Sequence, residues 1–308
     1  MIGTEIYYKL KEKYGLKSIL FCPYKEEMWD SMQTVYEEAL KDTEVESCIM
    51  PIPYYNLYQL VPVGLTLEFD KVNFPEALNR KWDVIVFHYP YDNQNSITRP
   101  LITSGVLKRF CEHLVLISYA VTERREVREH EVLLKGVTNS SLVVCENDWQ
   151  VQETQKIFDK AGVENTELVA WGSPKYDKRK TEIPAEWEEK RRGRKVIFLQ
   201  TSVVPYMQNV NKLKEIESFI KGQDSTEFAI LWRPHPLYAD TIKSLRPYEL
   251  KVFERIKTEV DIFDETRDYQ NAFEFCDLMV SDGSSLDYLF KRTEKPLIRF
   301  KKDLTIKV

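Results

Sequence analysis

Two histidines in this sequence follow strand-like apolar runs, where a side chain can move a proton or hold an anion. His88 comes directly after Val84-Ile85-Val86-Phe87. An imidazole near its ordinary pKa is the usual general base at neutral pH. Asp30 and Asp92 are the carboxylates that could orient its ring. His235 sits in Leu231-Trp232-Arg233-Pro234-His235-Pro236. The flanking prolines fix the backbone on either side, so this imidazole is rigidly aimed. Arg233 beside it has the planar fork that grips phosphate bidentately. The plain alternative for each histidine is a satisfied structural side chain.

Three hydroxyl-bearing segments also follow apolar runs. Gln200-Thr201-Ser202 follows 195–199, and Ser281-Asp282-Gly283-Ser284-Ser285 follows 277–280. In the second, Gly283 permits a sharp turn and a helix is expected to begin near Ser285. The first N–H groups of a helix lack internal partners and carry partial positive charge, which suits a phosphate. Asp and Ser are equally ordinary N-caps, and that reading stands beside the first. The turn Pro23 to Asp30 is the third such segment. His113 and His130 read as bland, the latter inside a charged run at 123–130. No H-E-x-x-H, Walker A, G-x-G-x-x-G or G-x-S-x-G occurs, which removes support for metalloprotease, P-loop, nicotinamide-dehydrogenase and typical α/β-hydrolase readings.

The elements that would carry these residues alternate. Strand candidates are 18–22, 45–51, 83–88, 114–118, 141–146, 167–171, 195–200, 227–232, 259–263, 277–281 and 296–300. Amphipathic segments lie near 26–41, 104–111, 124–135, 148–161, 209–221, 246–257, 268–275 and 285–292. Short β-branched runs separated by helices predict parallel sheets covered on both faces, an α/β fold. The stretch from Gly172 to Arg194, with Pro174, Pro184 and a charged run from Trp187, reads as a solvated linker or surface helix. It divides the chain into halves at 1–172 and 173–308. Ligands of open parallel sheets bind beyond the carboxyl ends of strands, so a cleft between two such halves is expected to gather the residues above.

The 308 residues are 43% hydrophobic and 30% charged, a globular composition. The net charge of −5 gives a nucleic-acid partner little support. The five cysteines are scattered, without C-x-x-C spacing, which predicts neither a disulfide framework nor a zinc site and fits a cytoplasmic compartment. No apolar run approaches the roughly 18 residues of a membrane span. Met1 to Glu5 lacks the pattern of a secretory signal. Tyr7 to Tyr14 mixes aromatics with lysines and reads either as an interfacial helix on anionic lipid or as an ordinary surface helix.

The segments Phe21 to Met32, Met50 to Tyr55, Phe87-His88-Tyr89-Pro90-Tyr91-Asp92, Trp171-Gly172-Ser173-Pro174-Lys175, Leu231 to Leu237 and Ser281 to Ser285 together resemble CDP-glycerol glycerophosphotransferase-like proteins. The resemblance spans about 18 to 300 in family order. It implies a GT-B architecture: two Rossmann-like halves, the C-terminal one (173–308) binding the nucleotide donor and the N-terminal one (1–172) serving the acceptor. It implies transfer of glycerol phosphate, or a related polyol phosphate, from a CDP-linked donor to a hydroxyl acceptor of a teichoic-acid-like surface polymer, with release of CMP. By resemblance His88 matches the base, and His235 matches a histidine contacting the donor diphosphate. Ser284 and Ser285 match phosphate-contacting hydroxyls, with Asp282 orienting the loop or a donor hydroxyl and Thr201 and Ser202 on the donor side. No cofactor is required in this reading, and Mg²⁺ is compatible with it. A lipid-linked acceptor would bring the protein to the inner face of the cell membrane as a peripheral contact. Two other functions fit the same residues: a GT-B glycosyltransferase using a nucleotide sugar, and a non-catalytic nucleotide-binding module.

Overall fold

The computed structural model describes residues 1–57, 61–63, 74–95, 98–122, 126–266 and 268–307. The chain divides into two compact units, Met1–Lys178 and Arg179–Val308. In chain order its strands are β1 (Ser18–Cys22), β2 (Glu46–Ile49), β3 (Tyr54–Asn56), β4 (Val61–Val63), β5 (Trp82–Phe87), β6 (Thr98–Pro100), β7 (Cys111–Ile117), β8 (Leu142–Cys145), β9 (Glu167–Ala170), β10 (Lys195–Thr201), β11 (Phe228–Pro234), β12 (Ile262–Phe263), β13 (Leu278–Ser281) and β14 (Leu297–Arg299).

The first unit holds a parallel six-stranded sheet in the order β2-β1-β5-β7-β8-β9. Its strands are apolar at nearly every position because both faces are covered. The pleat sends alternate residues to opposite sides. Leu20, Cys22, Ile85, Phe87, Leu114 and Leu116 enter one core. Ile19, Phe21, Val84, Val86, Val115 and Ile117 enter the other. Truncating one such buried ring, Phe21→Ala, would cost about 3–5 kcal/mol. The second unit holds a parallel five-stranded sheet, β12-β11-β10-β13-β14. The fold is therefore α/β, with one Rossmann-like parallel sheet in each unit.

Each sheet has one place where strand order reverses. In the first unit the chain runs from β1 outward to β2, then returns to β5 on the other side of β1. In the second it runs from β10 to β11 and β12, then returns to β13 on the other side of β10. At such a switch point the following loops diverge and leave a crevice for a ligand. Pro23–Asp30 and His88–Asp92 flank the first; Ser202 and Asp282–Ser285 flank the second.

The strands of both sheets fall where the sequence places them. A third sheet, antiparallel β4-β3-β6, was not expected. Its strands are three residues long, and Pro62 and Pro100 lie within them. Proline inside a run argues against a strand except at an edge or a bulge. The expected 26–41 helix is a 3₁₀ turn, Glu26–Ser31, followed by helix Gln33–Lys41. Of the expected 124–135 helix, residues 124 and 125 lie outside the described set, and the helical residues are Glu129–Val132 and Lys135.

Helix Ile2–Tyr14 corrects the interfacial-helix expectation. Ile6, Tyr7 and Leu10 are fully buried against the sheet and the Gln33–Lys41 helix. Lys11 pairs with Asp42 and Glu44, and Lys13 with Glu167, so these lysines are committed within the unit. Among the described residues no helix is long and apolar enough to cross a membrane. All five cysteines are free thiols.

The division between units lies six residues beyond the Gly172 position expected from sequence. Residues 173–177 are fastened to the first unit. Asp177 accepts the N–H groups of Ile2 and Gly3 at 2.7 and 2.9 Å and the Thr34 hydroxyl at 2.6 Å. It thereby caps the first helix, whose orphan N–H groups need acceptors. Lys175 is buried against Asp30 at 2.7 Å. The charged stretch beyond holds a helix, Ala185–Arg191, anchored by buried Trp187 on Phe275 of the second unit, ring centroids 5.4 Å apart.

Candidate functional site

The second unit's switch point is built around Asp282. Its Oδ1 accepts the Ser202 N–H at 2.8 Å, and its Oδ2 lies 2.9 Å from the Lys212 ammonium. Asp282 and Lys212 are both buried. Burial pushes the Asp282 carboxyl up from its ordinary range, and Lys212 opposes that. Ser202 Oγ donates to the Gly283 carbonyl at 2.8 Å. The ends of β10 and β13 are thus laced together by Ser202, Asp282 and Gly283. Ser202 and Asp282 are engaged in protein–protein bonds: Asp282 holds the loop, one of the two roles expected of it, whereas the Ser202 side chain was expected on the donor side.

The loop above them is short. The helix that follows is Leu286–Phe290, five residues, so the expected helix dipole is slight. Ser284 Oγ accepts the Leu286 N–H at 3.1 Å, and Ser281 Oγ accepts the Gly283 N–H at 3.0 Å. Among the described residues nothing accepts from the N–H groups of Ser284 or Ser285. Two successive N–H donors after a turn are a small anion cradle. Ser285 is exposed and Ser284 half-buried. Gly283 sits at φ +107, where a side chain is strained, and a Cβ there would fall 2.4 Å from Arg299 Nη1. Arg299, level with Ser281 in the β13–β14 register, is therefore laid over the loop with its side chain 65% exposed. Sequence reasoning missed Arg299 because its position at the end of the short strand β14 carries no motif.

His235 is exposed, and its backbone N–H donates to the Thr201 carbonyl at 2.8 Å. The Leu237 N–H donates to His235 Nδ1 at 3.1 Å. Nδ1 is therefore the acceptor nitrogen, and the neutral ring carries its proton on Nε2. This makes His235 a donor, suited to a phosphate oxygen or a leaving group. Two neighbours are corrected. Arg233 donates from Nη1 to Asp264 and to the Thr266 carbonyl, each at 2.8 Å, and so ties down the turn after β12 instead of presenting an open fork. Thr201 is fully buried and its hydroxyl accepts Trp232 Nε1–H at 3.1 Å, which fastens β10 to β11.

In the first unit His88 is fully buried. The Tyr24 N–H donates to its Nε2 at 2.8 Å, so the proton resides on Nδ1, which faces Ser31 Oγ at 2.9 Å. Ser31 Oγ donates onward to the Met28 carbonyl at 2.8 Å. Burial, reinforced by the Lys175 charge, pushes the imidazole down to about 3. Both nitrogens are engaged by the chain and the charged form is strongly disfavoured. In this geometry His88 fixes the turn after β1, against the expectation of a general base. Its orienting partners are Tyr24 and Ser31. Asp30 instead pairs with Lys175, and Asp92 accepts the Ser104 N–H at 2.8 Å and the Ser104 hydroxyl at 2.6 Å.

That turn carries aromatic rings. Tyr24 stacks on Tyr89 with centroids 3.8 Å apart, and Tyr54 lies 4.7 Å from Tyr24. Among the described residues no three of His, Cys, Asp and Glu stand together as a metal-ligand set.

No curated protein sequence matches the chain. Among solved structures it is similar to UDP-GlcNAc 2-epimerase from Methanocaldococcus jannaschii (TM-score 0.51, 13% identity, 91% of this chain and 83% of that one). It is similar to the UDP-GlcNAc 2-epimerase of Neisseria meningitidis (TM-score 0.55, 11% identity, 91% and 81%). It is also similar to the wall teichoic acid polymerase TagF (TM-score 0.49, 14% identity, 97% and 73%). The epimerase matches share the two-Rossmann-unit GT-B class of fold. The sequence model of CDP-glycerol:poly(glycerophosphate) glycerophosphotransferase matches residues 114–306, from β7 through β14. With that match over more than half its length, the chain belongs to the CDP-glycerol glycerophosphotransferase family of enzymes.

Proposed function

We propose that this transferase moves glycerol phosphate from CDP-glycerol to a hydroxyl of a glycerol-phosphate polymer and releases CMP. The observation that carries the reading is the set of donors at the β10/β13 switch point. There the Ser284 and Ser285 N–H groups, the Arg299 guanidinium and the neighbouring His235 are all donors, as a diphosphate requires. The family match supports the chemistry.

In this reading Arg299 and the Ser284–Ser285 cradle neutralise the donor diphosphate. Asp282, held by Lys212, keeps the Ser202 and Gly283 turns in register beneath it. The acceptor oxygen bonds to the distal phosphorus, the bridging P–O bond breaks, and CMP departs with the bridging oxygen. The acceptor's proton is released. His235 donates from Nε2 toward the departing phosphate and acts by stabilising charge there. Stabilisation of charge by prearranged donors is usually the largest part of such catalysis. The first unit serves the acceptor. The reaction needs no resident cofactor in this reading; comparing rates with magnesium and with chelator shows whether Mg²⁺ accompanies the donor. A membrane contact would come through a lipid-linked acceptor.

The test is a CMP assay with CDP-glycerol and a glycerol-phosphate primer. Release dependent on the primer supports the reading. Turnover of a UDP-sugar with no CMP from CDP-glycerol would replace it with glycosyl transfer.

A further inference from the structure

Lys25 stands on the turn after β1, at the first unit's switch point. The turn is rigid: its Tyr24 N–H is bonded to His88, and the Pro23 carbonyl accepts the Ile52 N–H at 2.8 Å. The Lys25 ammonium lies 5.2 Å from the Tyr54 ring centroid and 5.9 Å from that of Tyr24. It is half-buried, and among the described residues no carboxylate comes within ion-pair distance of it. The contrast within the chain is sharp. The buried lysines Lys175 and Lys212 each hold a buried aspartate. Burial lowers the Lys25 pKa, and the charge of Glu27 opposes that. A cation drawn partly out of water without a counter-ion costs free energy, and ring faces offset only part of that. An anionic ligand group would supply the counter-charge that the described residues do not.

We propose that Lys25 binds a phosphodiester of the acceptor polymer, with the partly exposed Tyr54 ring packing against the adjoining polyol carbons. Its position supports this choice, since ligands of open parallel sheets enter at the switch point beyond the strand ends. The inference rests on the acceptor role given above to the first unit.

Two measurements test it. Binding of a synthetic glycerol-phosphate oligomer is titrated against the wild-type chain, Lys25→Met and Lys25→Arg, and CDP-glycerol is titrated against the same three proteins. The expected result is oligomer affinity lower by about tenfold or more in Lys25→Met, as for loss of a charge-assisted contact, partial recovery in Lys25→Arg, and unchanged CDP-glycerol affinity. Equal oligomer affinity in all three, no oligomer binding to the wild type, or an equal loss for CDP-glycerol would overturn it. Failure of the functional reading looks different: the Lys25-dependent oligomer binding persists while CDP-glycerol yields no CMP.

Discussion

Asp282 receives the Ser202 N–H on one carboxylate oxygen at 2.8 Å and faces the Lys212 ammonium with the other at 2.9 Å. One buried side chain thus joins the ends of the first and fourth strands of the second sheet in chain order, and the ammonium that compensates it comes from a third segment. Lys212→Met leaves that carboxylate without its ammonium. Loss of one partner from a buried pair costs about 3–5 kcal/mol. Urea unfolding should show a loss of that size, and Lys212→Met with Asp282→Asn together should lose less than the two single changes summed. Strict additivity would show that the pair is not coupled.

His235 offers a proton on Nε2, not a lone pair. A glutamine amide can donate from a similar position and alanine cannot. His235→Ala is expected to lower kcat by about 10²-fold or more, and His235→Gln to recover a substantial part. An equally dead glutamine variant would mean the ring works as a base.

His88 makes acid unfolding informative. Its folded pKa, pushed down to about 3, lies below the ordinary histidine value near 6.5, so the unfolded chain binds the extra proton first. Its contribution is fully present above pH 6.5 and drains away as pH falls toward 3. Between pH 7 and pH 5 this amounts to roughly 2 kcal/mol. His88→Gln should flatten that limb of the stability curve. The same slope in wild type and variant would contradict the buried, neutral imidazole.

Gly283 and Arg299 form another linked pair. Gly283→Ala adds a methyl where the backbone is left-handed and the guanidinium already lies. It should weaken CDP-glycerol binding by displacing Arg299, while Arg299→Ala should weaken it about tenfold through loss of a charge-assisted contact. Titration calorimetry reads both. Unaltered affinity in Arg299→Ala would remove it from the donor site.

Much of this was legible from residue order. The strands of both parallel sheets could be placed because β-branched runs buried on two faces leave a continuous apolar signal. The switch-point segments followed from where those runs stop. The roles of individual side chains were less legible. Arg233 and Thr201 sit where donor contacts were expected, but Asp264 and Trp232, remote in sequence, occupy them. His88 was placed at the correct edge, yet its nitrogens are taken by Tyr24 and Ser31, which only the folded turn brings there. Lys25, Lys212 and Arg299 carry no motif; their significance lies in burial and in which charges face them.

The most direct test of the donor crevice is hydrogen exchange with and without CDP-glycerol. Slowed exchange is expected at Ser202 and across Asp282 to Leu286, and is expected to be lost in Arg299→Ala. Protection confined to the first unit, with 282–286 unchanged at saturating CDP-glycerol, would contradict it.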